Sequence, residues 1–215
     1  MNKYKYDWSN ITIDQYYNIL DVLNSDSEDL DKNVELLSIV SGMSIDEILG
    51  MSMQEVAEEL LQLRFLNTFT LIPNYHPNRI KLGDEMLIVQ DTNKMCYGQF
   101  IDYQAYVKKP LRNSIHLILS VFLIPEGKNY NSGYDIIEVQ KLIRDKMSFR
   151  EAQSLLNFML TKYIQSYKDS LKYLVKQMNK IRDPEKKETM MLKIQEMNKQ
   201  MKNLASIIGY AYSKG

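Results

Sequence analysis

The sequence predicts a mainly α fold: an N-terminal bundle of short helices with a small antiparallel β insertion, followed by a long C-terminal antiparallel coiled-coil hairpin. Three observations support this fold class. Glycine (8) and proline (5) are scarce in a chain of 215 residues, which favours few and long elements. Capping residues stand in front of several apolar stretches with a helical period. Near the C-terminus, apolar residues recur at alternating spacings of four and three, which is typical of coiled coils.

Length and composition predict one folded chain in two parts. Residues 1–147 are expected to form a mostly helical globular domain with a small β element around residues 68–92, and residues 148–215 a long helical hairpin. The chain is 45% hydrophobic and 25% charged, which excludes an intrinsically disordered protein.

Cysteine content and the N-terminal residues indicate a protein that is made and kept in the cytoplasm. Cys96 is the single cysteine, so an intramolecular disulfide is excluded and a reducing compartment is favoured. The N-terminal stretch MNKYKYDWSN contains no apolar core, so we expect no secretory signal.

Helix starts in the first third of the chain carry capping boxes, in which Ser or Thr is followed three residues later by Glu or Gln. These boxes are Thr12 with Gln15, Ser44 with Glu47, and Ser52 with Glu55. Gly42 supplies the left-handed residue that ends a further helix. The expected helices should pack as a bundle. They are predicted at residues 13–23, 30–41, 45–50 and 53–67.

Polar and apolar residues alternate between residues 68 and 92, so the predicted structure changes there from helix to strand. The expected element is a small antiparallel sheet, with Gly83 and Asp84 in a turn. A sheet of two or three strands is marginally stable in water, so it should lie on the helices. The strands are predicted at residues 68–72, 79–82 and 85–89.

The stretch from Met95 to Pro125 is predicted to organise the rest of the globular domain. Its first half is aromatic and amphipathic, which predicts a helix at residues 97–108. Its second half contains the apolar run LILSVFLI, which predicts a buried helix at residues 113–124. These eight apolar residues are too few to cross a bilayer, which requires roughly 20 in a helix. A further helix is expected to start at Asp135.

Two long helices joined by a short connector are predicted at residues 148–182 and 184–212. Ser148 with Glu151 caps the first helix, and Asp183 followed by Pro184 starts the second. The apolar residues at heptad spacing on these helices are named the hairpin seam. They are Leu160, Ile164, Tyr167, Leu171, Leu174, Met178, Met190, Ile194, Met197, Met201, Leu204 and Ile208.

The hairpin seam predicts an antiparallel coiled coil, because the connector is too short for a parallel pair. Its apolar positions cover only about two residues in seven, and the intervening positions are Lys, Gln, Asn and Glu. We therefore expect the hairpin to project from the globular part and to complete its burial against another protein chain. The alternative is that the hairpin folds back on the bundle of its own chain.

The net charge is zero, but the charges are unevenly distributed. Residues 1–63 contain three lysines and thirteen acidic residues, whereas residues 168–215 contain eleven basic and five acidic residues. An acidic end and a basic end can make head-to-tail contacts between copies of the chain, or bind a charged partner. The alternative is that both ends are solvated surfaces without a binding role.

Residue types that carry catalysis or bind cofactors form no recognisable motif in this sequence. There is no phosphate-binding loop, dinucleotide fingerprint or zinc-binding cysteine pair. Cys96 and His116 are the conceivable nucleophile and base, but they are twenty residues apart and His116 starts an apolar stretch. Asp102 lies among aromatic residues and would have a raised pKa if buried, although helix capping or ion pairing is the commoner role. The sequence thus predicts a non-enzymatic protein without a cofactor or a metal site, and an enzyme that uses Cys96 or Asp102 ranks third among the hypotheses.

A stripe of lysines suggests an alternative function. Its members recur every four residues and are Lys168, Lys172, Lys176 and Lys180. With Tyr163 and Tyr173 nearby, this basic stripe would neutralise phosphates in a nucleic-acid-binding accessory protein that uses the basic hairpin. Lysine is also the usual residue on the solvated flank of a coiled coil, which is the interpretation that we favour.

Three parts of the sequence resemble structural and assembly proteins of tailed bacteriophages, including tail-assembly and neck components of phages that infect Bacteroidota. The resemblance covers residues 8–160 and does not include the hairpin. The parts are ITIDQYY (11–17) leading into NVELLSIVSG (33–42), the capped helices that end in LRFL (63–66), and YGQFID (97–102) followed by HLILSV (116–121).

The resemblance implies a protein without an active site that acts through protein–protein contacts in the virion neck or tail, or during tail assembly. Its implied partners are other copies of this chain, other virion proteins, or both, and no membrane. It also implies synthesis in the cytoplasm of the infected bacterium, and it leaves open whether the protein stays in the virion.

Overall fold

The computed structural model describes residues 5–110 and 113–213. The chain is mainly helical with a small antiparallel sheet, as the sequence predicts. It divides into two compact units, named unit 1 (residues 1–156) and unit 2 (residues 157–215). The α-helices are α1 (Ile13–Leu23), α2 (Asp29–Ser41), α3 (Ile45–Leu49), α4 (Met53–Gln62), α5 (Tyr97–Tyr106), α6 (Ile115–Phe122), α7 (Ile136–Lys146), α8 (Phe149–Met178) and α9 (Pro184–Ser213).

Capping boxes start α1, α3 and α4, as predicted. The backbone N–H of Gln15 donates to Thr12 Oγ1 at 3.2 Å, and the N–H of Thr12 donates to Gln15 Oε1 at 2.9 Å. The same reciprocal contact starts α3 and α4. Gly42 ends α2 with a φ of 77°, a conformation that glycine adopts without strain. The fourth helix is predicted to reach residue 67. In the structure α4 ends at Gln62, and a 3₁₀ helix at Leu63–Asn67 follows it.

The sheet contains β1 (Arg79–Leu82), β2 (Glu85–Val89) and β3 (Leu123–Pro125) in that order, and both pairs are antiparallel. Gly83 lies in the turn between β1 and β2 with a φ of 60°, so the two strands and turn predicted from alternation are confirmed. The third strand does not come from the predicted segment, because β3 is formed by the end of the apolar run.

The prediction of a strand at residues 68–72 is wrong. This segment is irregular, and side chains from distant parts of unit 1 satisfy its backbone groups. Trp8 Nε1 donates to the Thr68 carbonyl at 2.7 Å, and the Ile72 N–H donates to Ser154 Oγ at 2.9 Å. These contacts replace the ladder bonds that a strand would otherwise supply.

The predicted helix at residues 113–124 is also wrong at its C-terminal end. α6 stops at Phe122, and the next two apolar residues pair with β2 as part of β3. The residue before a proline is disfavoured in the helical region, and Ile124 precedes Pro125. The apolar run therefore divides into a helix and a short strand, both buried.

The core of unit 1 surrounds α6, which packs against α5, α7 and β3. Ile118, Leu119 and Val121 of α6 are buried. A group of rings, named the aromatic cluster, adds a second part of the core. It contains Trp8, Tyr16, Phe65, Phe69 and Phe149.

The aromatic cluster extends unit 1 into the first two turns of α8. Phe149 stacks on Tyr16 with 3.7 Å between ring centroids and lies 5.2 Å from Trp8. Ala152, Leu155 and Leu156 on the same helix are also buried. The division between the units thus falls inside α8, at residues 156 and 157, whereas the sequence places a boundary at residues 147 and 148.

Unit 2 contains the remainder of α8, the connector at residues 179–183 and α9. The Lys180 N–H donates to the Gln177 carbonyl at 2.9 Å as α8 ends. Asp183 then caps α9 by accepting the Glu185 N–H at 3.0 Å, as predicted. Among the described residues, no helix combines the length and the apolar character that a membrane span requires.

Candidate interaction surfaces

Residues of the hairpin seam are more buried than residues beside them on α8 and α9. Leu171 is 8% exposed and Ile194 is 9% exposed, whereas the neighbouring Leu192 is 60% exposed. Leu160 is buried as well. Partly buried seam residues are Ile164, Leu174, Met178 and Met190. The remaining seam side chains lie outside the described part of the structure and are Tyr167, Met197, Met201, Leu204 and Ile208.

The basic stripe lies at the surface of unit 2. All four of its lysines, Lys168, Lys172, Lys176 and Lys180, are exposed. Lys172 Nζ lies 3.5 Å from Asp169 Oδ1, a solvated pair that contributes little to stability. Tyr173 lies beside the stripe on α8 with 61% of its surface exposed, whereas the side chain of Tyr163 lies outside the described part.

A second exposed surface lies on α3 and α4, and the sequence reasoning missed it. Met53 is 85% exposed and Leu49 is 68% exposed, although both are large apolar side chains. Three further exposed residues on the same two helices are apolar, and the five are together named the α3–α4 apolar surface. It consists of Ile45, Leu49, Met53, Ala57 and Leu61.

The spacing of these residues is the signal that could have revealed this surface. Apolar residues recur at every fourth position from residue 45 to residue 61, in addition to those that face the bundle. On α4 the inward positions are Val56 and Leu60, which are partly buried. A surface helix usually carries polar residues on its outer side, so apolar residues on both sides indicate a second partner.

Acidic residues occur in the same segment as the α3–α4 apolar surface. Residues 45–62 contain five acidic residues and no basic residue. Two of these carboxylates serve capping boxes, and Glu59 forms an ion pair with Lys5 at 2.9 Å. Glu58 is exposed and accepts a hydrogen bond from the uncharged side chain of Gln54 at 3.1 Å. Its charge therefore remains available to an external cation.

His116, the conceivable base, contacts Tyr17 of α1. The Tyr17 hydroxyl accepts the Ile115 N–H at 3.1 Å and forms a second hydrogen bond with His116 Nδ1, 3.0 Å away. Burial and the positive charge of Arg144 lower the pKa of His116 to about 4. Burial also raises the pKa of Tyr17. His116 is thus a neutral imidazole that joins α6 to α1.

Asp102, the conceivable carboxylate acid, contacts a tyrosine rather than a basic residue or a helix end. Tyr130 Oη donates to Asp102 Oδ2 at 2.6 Å. Burial and this hydrogen bond raise the pKa of Tyr130, because both disfavour the phenolate. Gln140 Nε2 donates to Tyr106 Oη at 3.1 Å close by. These contacts join α5 to the loop before α7 and to α7 itself.

Cys96, the conceivable nucleophile, is exposed at the start of α5. Its backbone N–H donates to Gln99 Oε1 at 2.9 Å, and the buried Gln99 side chain donates to the Val121 carbonyl at 2.8 Å. In the described residues, Cys96 forms a hydrogen bond with Gln99, and His116 forms one with Tyr17. The two are not brought together as a nucleophile and a base.

No group of three or more His, Cys, Asp and Glu side chains within the described residues is arranged to hold a metal ion. No protein-family model, curated protein or solved structure matches this chain. The features that stand out are two exposed surfaces of opposite charge. One is the α3–α4 apolar surface with its carboxylates, and the other is the basic stripe with Tyr173.

Proposed function

We propose that this protein is a non-enzymatic bacteriophage structural or assembly protein that acts through protein–protein contacts in the virion neck or tail, or during tail assembly. The observation that carries this proposal is the presence of two groups of exposed apolar side chains within charged surroundings. Exposed apolar patches with a charged rim are typical of protein interaction sites. The resemblance to tailed-phage proteins supplies the class of protein.

The stretches that carry the resemblance build the interior of unit 1. They lie in α1, α2, the 3₁₀ helix after α4, α5 and α6. Ile11, Leu37 and Leu119, which belong to these stretches, are buried. The resemblance therefore concerns the folding of unit 1, while the contacts with partners are proposed to come from exposed residues.

Unit 2 is proposed to be an antiparallel coiled-coil hairpin. Leu171 on α8 and Ile194 on α9 lie on opposite sides of the connector at distances from it that differ by less than one helical turn, and both are buried. Residues that face each other across an antiparallel seam have this relation. Apolar side chains off the seam, such as Tyr173 and Leu192, are exposed. Covering them with another chain would favour association by about 25 cal/mol per Å².

Light scattering over a range of protein concentrations tests the proposal. The average mass of the wild-type chain should rise with concentration, and the Met53→Ser, Tyr173→Ser double variant, which changes one exposed side chain in each group, should remain smaller. Trp8 is the single tryptophan and is buried in unit 1, so its fluorescence shows whether unit 1 stays folded in the variant. Ile137→Ser, at an exposed apolar residue of α7, is the matched control. A wild-type chain that stays monomeric at high concentration would contradict the proposal.

The neighbourhood of the gene tests the class of protein. A phage structural or assembly protein should be encoded beside genes for a portal, sheath or tape-measure protein. A neighbourhood of metabolic genes without phage genes would count against the class, whatever the oligomeric state.

Binding of nucleic acid by the basic stripe is the second candidate function, because all four lysines of the stripe are exposed. Filter binding at low and high salt measures the number of phosphates that are neutralised. If this function is correct, affinity should fall steeply with salt. The Lys172→Gln, Lys176→Gln, Lys180→Gln triple variant should bind more weakly and depend less on salt. Affinity that is equal in the variant and the wild type would exclude the stripe.

A further inference from the structure

We infer that the α3–α4 apolar surface of one copy binds the exposed side of α8 around Tyr173 in a second copy, so that copies associate head to tail. The inference depends on the proposed function, because it names the partner and the two surfaces of the proposed self-association. It adds a specific occupant for a surface that the sequence reasoning missed.

The first surface supplies an apolar patch with negative charges. Leu49 and Met53 are more than two-thirds exposed, at 68% and 85%. They lie at the end of α3 and the start of α4, in a segment with five acidic residues and no basic residue. Glu58 contributes a carboxylate on α4 beside Leu61, one turn along the same helix. A partner must therefore offer apolar side chains together with cations.

The second surface has this complementary pattern. Lys172, Tyr173 and Lys176 occupy positions i, i+1 and i+4 of α8 and are all exposed. Tyrosine is among the residues that contribute most to binding energy at protein interfaces, because its ring combines a large apolar area with a polar end. Lysine can bury its aliphatic stem against an apolar patch while its ammonium group reaches a carboxylate.

Charge complementarity identifies the occupant as another copy of this chain. The segment at residues 45–62 carries acidic residues alone, and the segment at residues 168–180 contains four lysines and one aspartate. Opposite charges at two surfaces steer association and select the partner. Because the two surfaces differ, each added copy leaves one of each kind unoccupied. Such an interface builds a ring if the rotation closes and a filament if it does not.

Charge reversal tests the inference in the full-length chain. Glu58→Lys and Lys176→Glu each place like charges opposite each other, so each variant alone should associate roughly tenfold more weakly than wild type. In an equimolar mixture of the two variants, every interface can again pair a lysine with a glutamate. Mixing should therefore restore association, as measured by sedimentation velocity. Lys141→Glu, at an exposed lysine of α7, is the matched control and should leave association unchanged.

Zero-length carbodiimide coupling, which joins an amine to a carboxylate in contact with it, identifies the pair of segments. The sample is an equal mixture of unlabelled and ¹⁵N-labelled wild-type protein. Peptides from residues 45–62 should be joined to peptides from residues 168–180, and pairs with one labelled and one unlabelled member should be present. Pairs that are always of one isotope would show contact within a single chain and overturn the inference.

The outcomes separate this inference from the proposed function. If wild type associates and both charge-reversal variants associate equally well, the head-to-tail contact is wrong while association as such stands. If mixing fails to restore association although Trp8 fluorescence and the far-ultraviolet circular dichroism signal show that units 1 and 2 of both variants are folded, the pairing of these two surfaces is also wrong. A wild-type chain that is monomeric at every concentration would overturn both.

Discussion

Units 1 and 2 both contain many apolar side chains, but they differ in how completely they bury them. In unit 1, α6 is covered by α5, α7 and β3, and an aromatic cluster fills the space beside the start of α8. In the described part of unit 2, the buried apolar residues are Met159, Leu160, Leu171 and Ile194. Two helices that pack only on each other, as proposed for unit 2, bury a line of residues rather than a volume.

This difference suggests that buried side chains determine the stability of each unit, whereas exposed apolar side chains determine association. A side chain in the core of unit 1 contacts neighbours on every side, so its removal leaves a cavity that lowers stability. Large apolar side chains that remain exposed, such as Met53 in unit 1 and Leu192 in unit 2, contribute little to folding. Their removal should instead alter association.

The largest expected effect is at the centre of the aromatic cluster. Phe149→Ala removes the ring that stacks on Tyr16 and contacts Trp8, and it should reduce the free energy of unfolding of unit 1 by about 3–5 kcal/mol. Urea denaturation followed by Trp8 fluorescence measures this change. Tyr97→Ala, at an exposed ring on α5, is the control and should change it by less than about 0.5 kcal/mol. Equal effects would mean that the cluster is not part of the core.

Substitution of one buried and one exposed leucine tests whether burial in unit 2 is confined to the hairpin seam. Leu171→Ala should reduce the stability of the helices of unit 2 by about 2 kcal/mol, because Leu171 is buried. Leu192→Ala makes the same chemical change at an exposed position and should alter stability by less than about 0.5 kcal/mol. Thermal melting of the far-ultraviolet circular dichroism signal compares them at low protein concentration. If the two variants melt alike, the seam assignment fails.

Local contacts explain which parts of the fold could be predicted. A capping box joins residues three positions apart, so Thr12 and Gln15 could be recognised from the sequence alone. The connector that begins α9 at Asp183 and Pro184 is equally local. By contrast, β2 pairs Leu87 with Pro125, and no local pattern connects two such distant residues. The strand predicted at residues 68–72 is wrong for the same reason, because the contacts of this segment are with residues distant in sequence.

The candidate surfaces show the same limit. Heptad spacing marked the hairpin seam, because the period of an apolar pattern is a property of the sequence. Whether Met53 is exposed depends on which parts of the fold cover α4, and the sequence pattern alone does not give this. The carboxylate of Asp102 was similarly unpredictable, since its partner Tyr130 lies in a loop 28 residues away.

As the pH falls, the free energy of unfolding of unit 1 should decrease before that of unit 2. The group responsible is His116, and both histidines of the chain lie in unit 1. The pKa of His116 is lowered to about 4, so between pH 6.5 and 4 the unfolded chain binds a proton that the folded chain does not. Stability is therefore complete above pH 6.5 and decreases as the pH falls toward 4. The ring is only partly buried, and allowing for screening by water we expect a loss of about 1–2 kcal/mol.

Urea midpoints of the Trp8 signal at pH 7 and pH 5 measure this loss. His116→Asn supplies an amide that can accept from or donate to the Tyr17 hydroxyl but cannot titrate in this range. The variant should show a smaller decrease between the two pH values than the wild type. An identical decrease in both proteins would assign the acid sensitivity to other groups.

The smallest expected effect compares the same kind of contact in the two units. Ser52→Ala removes the side-chain cap of α4 in unit 1, and Asp183→Ala removes the cap of α9 in unit 2. Each should cost about 1 kcal/mol, because backbone N–H groups in the first helical turn lose their side-chain acceptor and gain only water. In unit 2 this cost acts on helices with few buried residues, so Asp183→Ala should lower the helical melting temperature more visibly. Ser52→Ala should shift the Trp8 midpoint instead. If Asp183→Ala leaves the helical melt unchanged while Ser52→Ala shifts it, the contrast between a closed unit 1 and a marginally buried unit 2 is wrong.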